Sequence, residues 1–273
     1  MDRSQISTLI YQHLKANISS LKVSFESHME AIPYFYLDNL LPEELAIQLY
    51  QVFPKKNDMV HKKSIREDKY VGFKMDEYNP LLEECIYAFQ DDKIVDLVSQ
   101  ICNLKFVEPD ANLYAGGLSA MGKGQFLNPH LDNSHDKDRN LWRVLNLLYY
   151  VTPSWEENYG GNLELWPNGL ENKPITIHSK FNRLVVMATH HTSLHSVSPV
   201  QHDGFRCCVS NYYFSRQPFK ADDSFHVTSF RGRPNEKIKD KVLQLDTKLR
   251  MIIRKLFKKG IIENPHVYKK DKE

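Results

Sequence analysis

The sequence predicts a mainly β fold of the sandwich or jelly-roll class with helices on both flanks, and three observations carry that expectation. From about 106 to 216, short apolar runs are separated by Gly, Pro, Asn and Asp, the punctuation of successive strands and turns. Inside that stretch RVLNLLYYV, residues 143–151, is apolar on both faces, as a central strand must be. Outside it the apolar spacing changes from two to three or four residues, the period of helices. A chain of 273 residues is long enough for one large core, and β-rich barrels of this size often form one domain. The expected division is a helical and strand support region over 1–105, a β core over 106–218 and a basic helical tail over 219–273.

In chain order, Ile6, Leu9, Ile10 and Leu14 stand at helical spacing within a polar lead-in of about 30 residues. Ile32 to Leu37 reads as a strand, and Pro42-Glu43-Glu44 opens a helix that stops near Pro54, because proline fits a first helical turn and breaks a later one. Lys55 to Lys69 is heavily charged and reads as a surface loop. Leu82, Cys85, Phe89, Ile94, Val98 and Ile101 give a helical pattern over 81–103. Strands are expected over 111–120, 127–132, 143–151, 162–166, 175–178, 183–188, 194–197 and 205–214. After Pro234 the pattern is helical again, with Ile238, Val242, Leu245, Leu249, Ile252, Ile253 and Leu256 on one side. The segment from Arg231 to Lys259 holds 11 Lys or Arg against Glu236, Asp240 and Asp246. It is expected to pack its apolar side on the barrel and leave its basic side in water, with contact to an anionic membrane or acidic partner as the alternative.

A net charge of +2 gives the whole molecule no general attraction for nucleic acid. Cys85, Cys102, Cys207 and Cys208 form no CxxC pair and are too few for a disulfide framework, which fits a reducing, cytoplasmic setting. The first residues lack the apolar core of a signal peptide, and no window is apolar enough for a membrane span.

The chemistry is concentrated around His130-Leu131-Asp132. Side chains two apart in an extended strand share a face, so this imidazole and carboxylate converge. A third ligand must come from elsewhere among the 12 histidines. His190 and His191 fall in an expected turn and read as surface histidines, whereas His195 begins a segment leading to Arg206. Two His and one carboxylate leave open positions on the ion, the arrangement of non-haem Fe(II) oxygenases, although Mn, Co, Ni or Zn would accept the same donors. Alternation over RCCVSNYYF puts Arg206, Cys208, Ser210 and Tyr212 on one face and Cys207, Val209, Asn211 and Tyr213 on the other. An arginine pointing into a barrel needs an anion, either an internal carboxylate or a bound dicarboxylate such as 2-oxoglutarate. Arg143 is expected either to face the barrel mouth and touch substrate or to pair with Asp136 or Asp138. Gly160-Gly161 reads as a tight turn or bulge.

The order of His130-x-Asp132, RVLNLLYYV, Trp155, Gly160-Gly161-Asn-Leu-Glu-Leu, Asn182-Arg183-Leu184, His195 with Val197-x-Pro199, and Arg206 resembles the prolyl 4-hydroxylase-like branch of the Fe(II)/2-oxoglutarate-dependent dioxygenases. The likeness is ordered over about 110 residues, and IPYFYLDNLLPEEL resembles that branch's lead-in segment. It implies a double-stranded β-helix with Fe(II) on His130, Asp132 and His195 and the 2-oxoglutarate C5 carboxylate on Arg206 and Tyr150. It also implies O2 as cosubstrate, ascorbate as reductant, and hydroxylation of an unactivated C–H bond with release of succinate and CO2. The chain departs from the branch where a cosubstrate-contacting tyrosine is usual, having Ala120 and Met121 there. A prolyl residue in a peptide or protein leads among substrates; a small amino-acid derivative, a glycan or a lipid-linked sugar stay open. The rivals are a zinc hydrolase on the same ligands and a non-catalytic, metal-containing jelly-roll binding module.

Overall fold

The computed structural model describes residues 1–257 and 268. Helices α1 (Arg3–Ala16) and α2 (Ile18–Glu26) precede strand β1 (Tyr34–Leu37), and α3 (Glu43–Gln51) follows it. The Asp2 carboxylate accepts from the Gln5 amide while the Gln5 side chain accepts from the Asp2 amide, so a capping box starts α1. Ile6, Ile10 and Leu14 then lie buried on one side of it.

The charged stretch expected as a loop is instead a hairpin, β2 (Val60–Lys63) and β3 (Glu67–Gly72). Lys62 stands opposite Lys69 across this pair, and both line a cavity rather than a core. A strand whose inner face is basic lacks the apolar alternation by which strands are read, which is why the sequence concealed it. The helical pattern over 81–103 resolves into α4 (Pro80–Ala88) and α5 (Asp92–Ile101), with the Asp91 carboxylate capping the second. The strand expected over 111–120 is confined to β5 (Gly117–Met121), and a strand that was not expected, β4 (Val107–Pro109), precedes it. Between them Asp110 accepts from the amides of Tyr114, Ala115 and Gly116 at 2.8, 2.8 and 2.9 Å and closes a turn.

The strands that follow take the expected positions: β6 (Phe126–Leu131), β7 (Trp142–Tyr150), β8 (Leu163–Leu165), β9 (Ile175–Ile177), β10 (Arg183–Ala188), β11 (His195–Val197) and β12 (Arg206–Ser215); a short strand that was not expected, β13 (Ser229–Phe230), precedes helix α6 (Lys237–Leu256). They make one curled antiparallel sheet in the order β1-β10-β7-β12-β5-β3-β6-β11-β8-β9. The missed strand β3 is the bridge, pairing with both β5 and β6. This is a jelly roll with flanking helices.

Two cores follow from the alternation of β7, β10 and β12. Leu147, Tyr149, Leu184, Val186, Cys207 and Val209 face the layer of α1 to α5. Tyr150, Val185, Met187 and Cys208 face inward against Leu163, Leu165 and Ile177. At Gly160, φ is +74°, and a Cβ would come within 2.1 Å of the Pro199 carbonyl oxygen. Only glycine fits there, so the pair does form a tight turn.

Helix α6 packs, but not by the expected face. Leu243 is buried, Asp240 pairs with Arg231 at 2.6 Å, and Asp246 pairs with Arg66. The apolar stripe is turned outward, with Ile238 83 % and Leu245 59 % exposed. Ion pairs and one leucine fixed the rotation of this helix against its own amphipathic pattern. Lys258 and Lys259 of the basic segment lie outside the described residues. Among those residues, no helix is long and apolar enough to cross a membrane.

Candidate metal centre and carboxylate anchor

His130 is the last residue but one of β6 and His195 begins β11, and the two residues stand directly opposite each other in the antiparallel pair. Residues in register on one face are the closest cross-strand neighbours, and the two imidazole rings lie 4.2 Å apart. Asp132 follows His130 by two and reaches the same point, its Oδ1 3.7 Å from His130 Nε2 and its Oδ2 3.5 Å from His195 Nε2. One donor atom from each of the three lies within 4.8 Å of the others, a set that could hold a metal ion.

The surroundings orient these donors. His130 Nδ1 lies 2.9 Å from the Asn128 carbonyl oxygen and His195 Nδ1 2.9 Å from that of Ser193. A carbonyl can only accept, so each Nδ1 carries the proton and each Nε2 presents its lone pair toward Asp132. Burial pushes the His130 pKa down to about 3, helped by His195, and burial likewise lowers that of His195. Both rings are therefore neutral at ordinary pH, the form that binds metals. Burial alone would raise the pKa of Asp132; Arg143, the two histidines and a hydrogen bond from Asn146 instead hold it well below the usual carboxylate range. Asn146 Nδ2 donates to Asp132 Oδ2 at 2.7 Å, and Arg143 Nη1 stands 3.5 Å from Oδ1.

Arg143 pairs with neither of the acids expected for it. Its Nε donates to Asn146 Oδ1 at 3.2 Å, its Nη1 donates to Asn133 Oδ1 at 3.0 Å, and its guanidinium stacks on Tyr212 at 3.8 Å. A register shift explains this. Tyr213 pairs with Leu145 but Phe214 pairs with Arg143, so Val144 is the extra residue of a bulge. The bulge re-aims Arg143 to the face of Asn146, three positions away. His190 and His191 do not join the triad. His190 is buried rather than exposed and stacks on Phe219, while His191 Nδ1 lies 2.6 Å from Asp223.

Arg206 lies on β12 opposite Met121, as the departure at Ala120-Met121 suggested would matter. It is 3 % exposed; Nη2 contacts Met121 Sδ at 3.0 Å, and Nε has no partner. Among the described residues no carboxylate forms an ion pair with it. Its guanidinium sits 5.3 Å from the ring centre of Tyr150, which is buried in the same interior. A buried guanidinium with an orphaned donor fits a small carboxylate ligand, because an unpaired buried charge is costly and a two-pronged ion pair relieves it. Asn146 escaped sequence reasoning, although a lone Asn within the apolar RVLNLLYYV was a signal for it.

A cavity of about 670 Å³ opens beside Asp132 and Arg143, with Tyr212, Phe225 and the α6 residues Arg250 and Arg254 in its wall.

Residues 116–214 match the profile of the 2OG-Fe(II) oxygenase superfamily. No curated protein matches the chain in sequence. Among solved structures, a prolyl-4-hydroxylase from Pseudomonas putida is similar with TM-score 0.55 and 16% identity, covering 73% of this chain and 99% of its own. A prolyl 4-hydroxylase from Phytophthora capsici is similar with TM-score 0.55 and 18% identity, covering 92% of this chain and 80% of its own. Their likeness is one of fold, the jelly roll described above, and it is the profile match that carries the chemistry: the β core over residues 116–214 is similar to the 2OG-Fe(II) oxygenase superfamily.

Proposed function

We propose that this dioxygenase holds Fe(II) on His130, Asp132 and His195, anchors the C5 carboxylate of 2-oxoglutarate on Arg206 beside Tyr150, and hydroxylates a prolyl residue of a peptide. The single observation that supports the anchor best is the Arg206 guanidinium, buried with an orphaned Nε and no carboxylate among the described residues. When bound, Fe(II) and 2-oxoglutarate supply an oxidative decarboxylation that ends in hydroxylation of a C–H bond and leaves succinate and CO2. The chain's own contribution is positional. Asn128 and Ser193 fix the two imidazoles, Asn146 and Arg143 fix the carboxylate, and the cavity beside Asp132 gives a substrate access. Four free, buried cysteines suit the reducing cytoplasm. The prolyl preference rests on the likeness to prolyl 4-hydroxylases. Succinate release from 2-oxoglutarate across a panel of prolyl peptides, free amino acids and glycans tests it. Turnover with a glycan and none with any peptide would move the substrate class while leaving the cofactor chemistry in place.

A second reading concerns location and has its own observation. The outward face of α6 carries Ile238, Val242, Leu245, Leu249, Ile252 and Leu256. Exposed Lys237, Lys241, Lys248 and Lys255 border them. The helix's acids are turned away, Asp240 and Asp246 to arginines and Glu236 to Lys239 at 2.9 Å. An apolar stripe flanked by lysines suits the interface of an anionic bilayer, where each basic residue contributes about 1 kcal/mol. A second copy would instead bring rows of lysine together. The protein should sediment with phosphatidylserine vesicles and not with phosphatidylcholine, and Leu245→Gln with Leu249→Gln should abolish this. Self-association without vesicle binding would reject the membrane in favour of a second copy.

A further inference from the structure

The cavity beside Asp132 is lined by six cations, Lys62, Lys69, Arg139, Arg143, Arg250 and Arg254, and by two acids, Asp132 and Asp136. Three of the cations are neutralised. Lys69 pairs with Glu67 at 2.9 Å, Arg143 stands 3.5 Å from Asp132, and Arg250 pairs with Asp246 at 3.0 Å. The remaining acid is engaged as well, since Asp136 Oδ1 accepts from the amides of Asn140 and Leu141 at 2.7 and 3.0 Å. Lys62, Arg139 and Arg254 are left with no ion pair to a carboxylate among the described residues.

Arg139 and Arg254 are held close together although they repel. Arg139 stacks on Phe225 at 3.8 Å, and its Nη2 donates to the Arg254 carbonyl oxygen. The Nε atoms of both are shielded from solvent and have no partner. Arg139 also adopts φ +59°, a left-handed conformation that L side chains rarely take and that persists where the surroundings impose it. Burial, and after it the charge of Arg254, lowers the pKa of Arg139. Like charges and orphaned donors at one cavity wall are relieved together by an anion placed between them. The cosubstrate is not that anion if Arg206 takes its C5 carboxylate, because Arg206 is not in the wall of this cavity. Arg139 lies within the segment that matches the family profile, residues 116–214, and Arg254 lies beyond it on α6.

We infer that the substrate carries an anionic group, a carboxylate or a phosphate, received by Arg139 and Arg254 in the cavity that Lys62 also lines. This rests on the reading of the triad as the reaction centre and adds the charge of what is brought to it. The first test leaves turnover aside: inorganic phosphate is titrated calorimetrically into protein loaded with Mn(II) and saturated with 2-oxoglutarate. Saturable binding of one phosphate is expected, weakened at least about tenfold by Arg254→Gln and by Arg139→Gln, since each removes a charge-assisted hydrogen-bonding group. Arg254→Lys should restore part of it, and thermal melting verifies that each variant is folded. Wild-type protein that takes up no phosphate, or variants that take it up equally well, would overturn the inference. The second test compares prolyl peptides carrying Glu, phosphoserine or Gln beside the proline, read by succinate release. Preference for Glu or for phosphoserine identifies the source of the charge. Equal use of the Gln peptide would count against an anionic substrate even though hydroxylation succeeded. Phosphate binding with no peptide turned over would count only against the peptidyl substrate.

Discussion

Two arginines face the interior of the roll from neighbouring strands, and their surroundings could hardly differ more. Arg143, 6 % exposed, meets Asp132, Asn133 and Asn146 and stacks on Tyr212; Arg206, 3 % exposed, touches one methionine sulfur and keeps an orphaned Nε. The first is complete within the protein and serves a carboxylate that belongs to the chain. The second keeps a donor that the described residues leave without a partner, as the proposed carboxylate anchor requires. Sequence treats them alike, as single cations in apolar strands, so it is the partner and not the residue that separates scaffold from binding site.

The largest effect should come from the triad that Arg143 supports. His195→Ala is expected to abolish stoichiometric Fe(II) binding with the fold retained, as read by metal analysis and circular dichroism. Full metal content and turnover in that variant would remove His195 from the ligand set. Next, Arg206→Ala should weaken 2-oxoglutarate by about 2–5 kcal/mol, the usual cost of truncating one side of a buried, hydrogen-bonded charge pair, with Fe(II) affinity little changed. Arg206→Lys keeps the charge without the fork and should fall between. Wild-type affinity in Arg206→Ala would place the anchor elsewhere and dissolve the contrast between the two arginines.

The contrast is sharpest in the stability of the metal-free protein. Arg143→Met strands the Asp132 carboxylate and should cost about 3 kcal/mol in denaturant unfolding. Arg206→Met removes an unpaired charge and should cost nothing or stabilise. Equal losses in the two would mean that Arg206 has a structural partner after all. The smallest effect at moderate pH belongs to His190, the buried histidine outside the triad, whose pKa burial pushes down to about 4. Its folded pKa lies below the ordinary value of about 6.5, so protons bind the unfolded chain more readily. Its stabilising effect is present above pH 6.5 and is lost as pH falls toward 4. At about 1.4 kcal/mol per pH unit the loss is slight at pH 6 and reaches about 3 kcal/mol near pH 4. His190→Gln should flatten that slope in thermal melts without altering metal stoichiometry, and an unchanged slope would assign it to other groups.

Much of this was legible in the sequence because its signals are local. Two-residue alternation placed His130 with Asp132 and separated the inward Cys208 from the outward Cys207 and Val209. Strands over 183–188 and 195–197 appeared where apolar runs and turns required them. Alternation failed where the inner face of a strand is itself polar. The β2–β3 hairpin read as a loop because Lys62 and Lys69 line a cavity, and a periodicity argument assumes that inward means apolar.

Helices α5 and α6 mark the same limit. Both are amphipathic, and α5 buries Ile94, Val95, Leu97, Val98 and Ile101 as its pattern demands, while α6 turns its stripe to the outside. The pattern states that a face exists; what the face meets depends on ion pairs such as Asp240 with Arg231 and Asp246 with Arg66, made to residues distant in the chain.

By itself, then, the sequence determined the strand-rich core, the pairing of an imidazole with a carboxylate at positions 130 and 132, and the inward direction of Arg206, because each follows from the geometry of an extended chain. Tertiary structure alone decided that His195 stands in register with His130, that a bulge at Val144 swings Arg143 to Asp132, and that Arg206 meets no acid among the described residues. Register, bulges and the partner of a buried charge are set by contacts between segments far apart in the chain, and no local window of residues contains them.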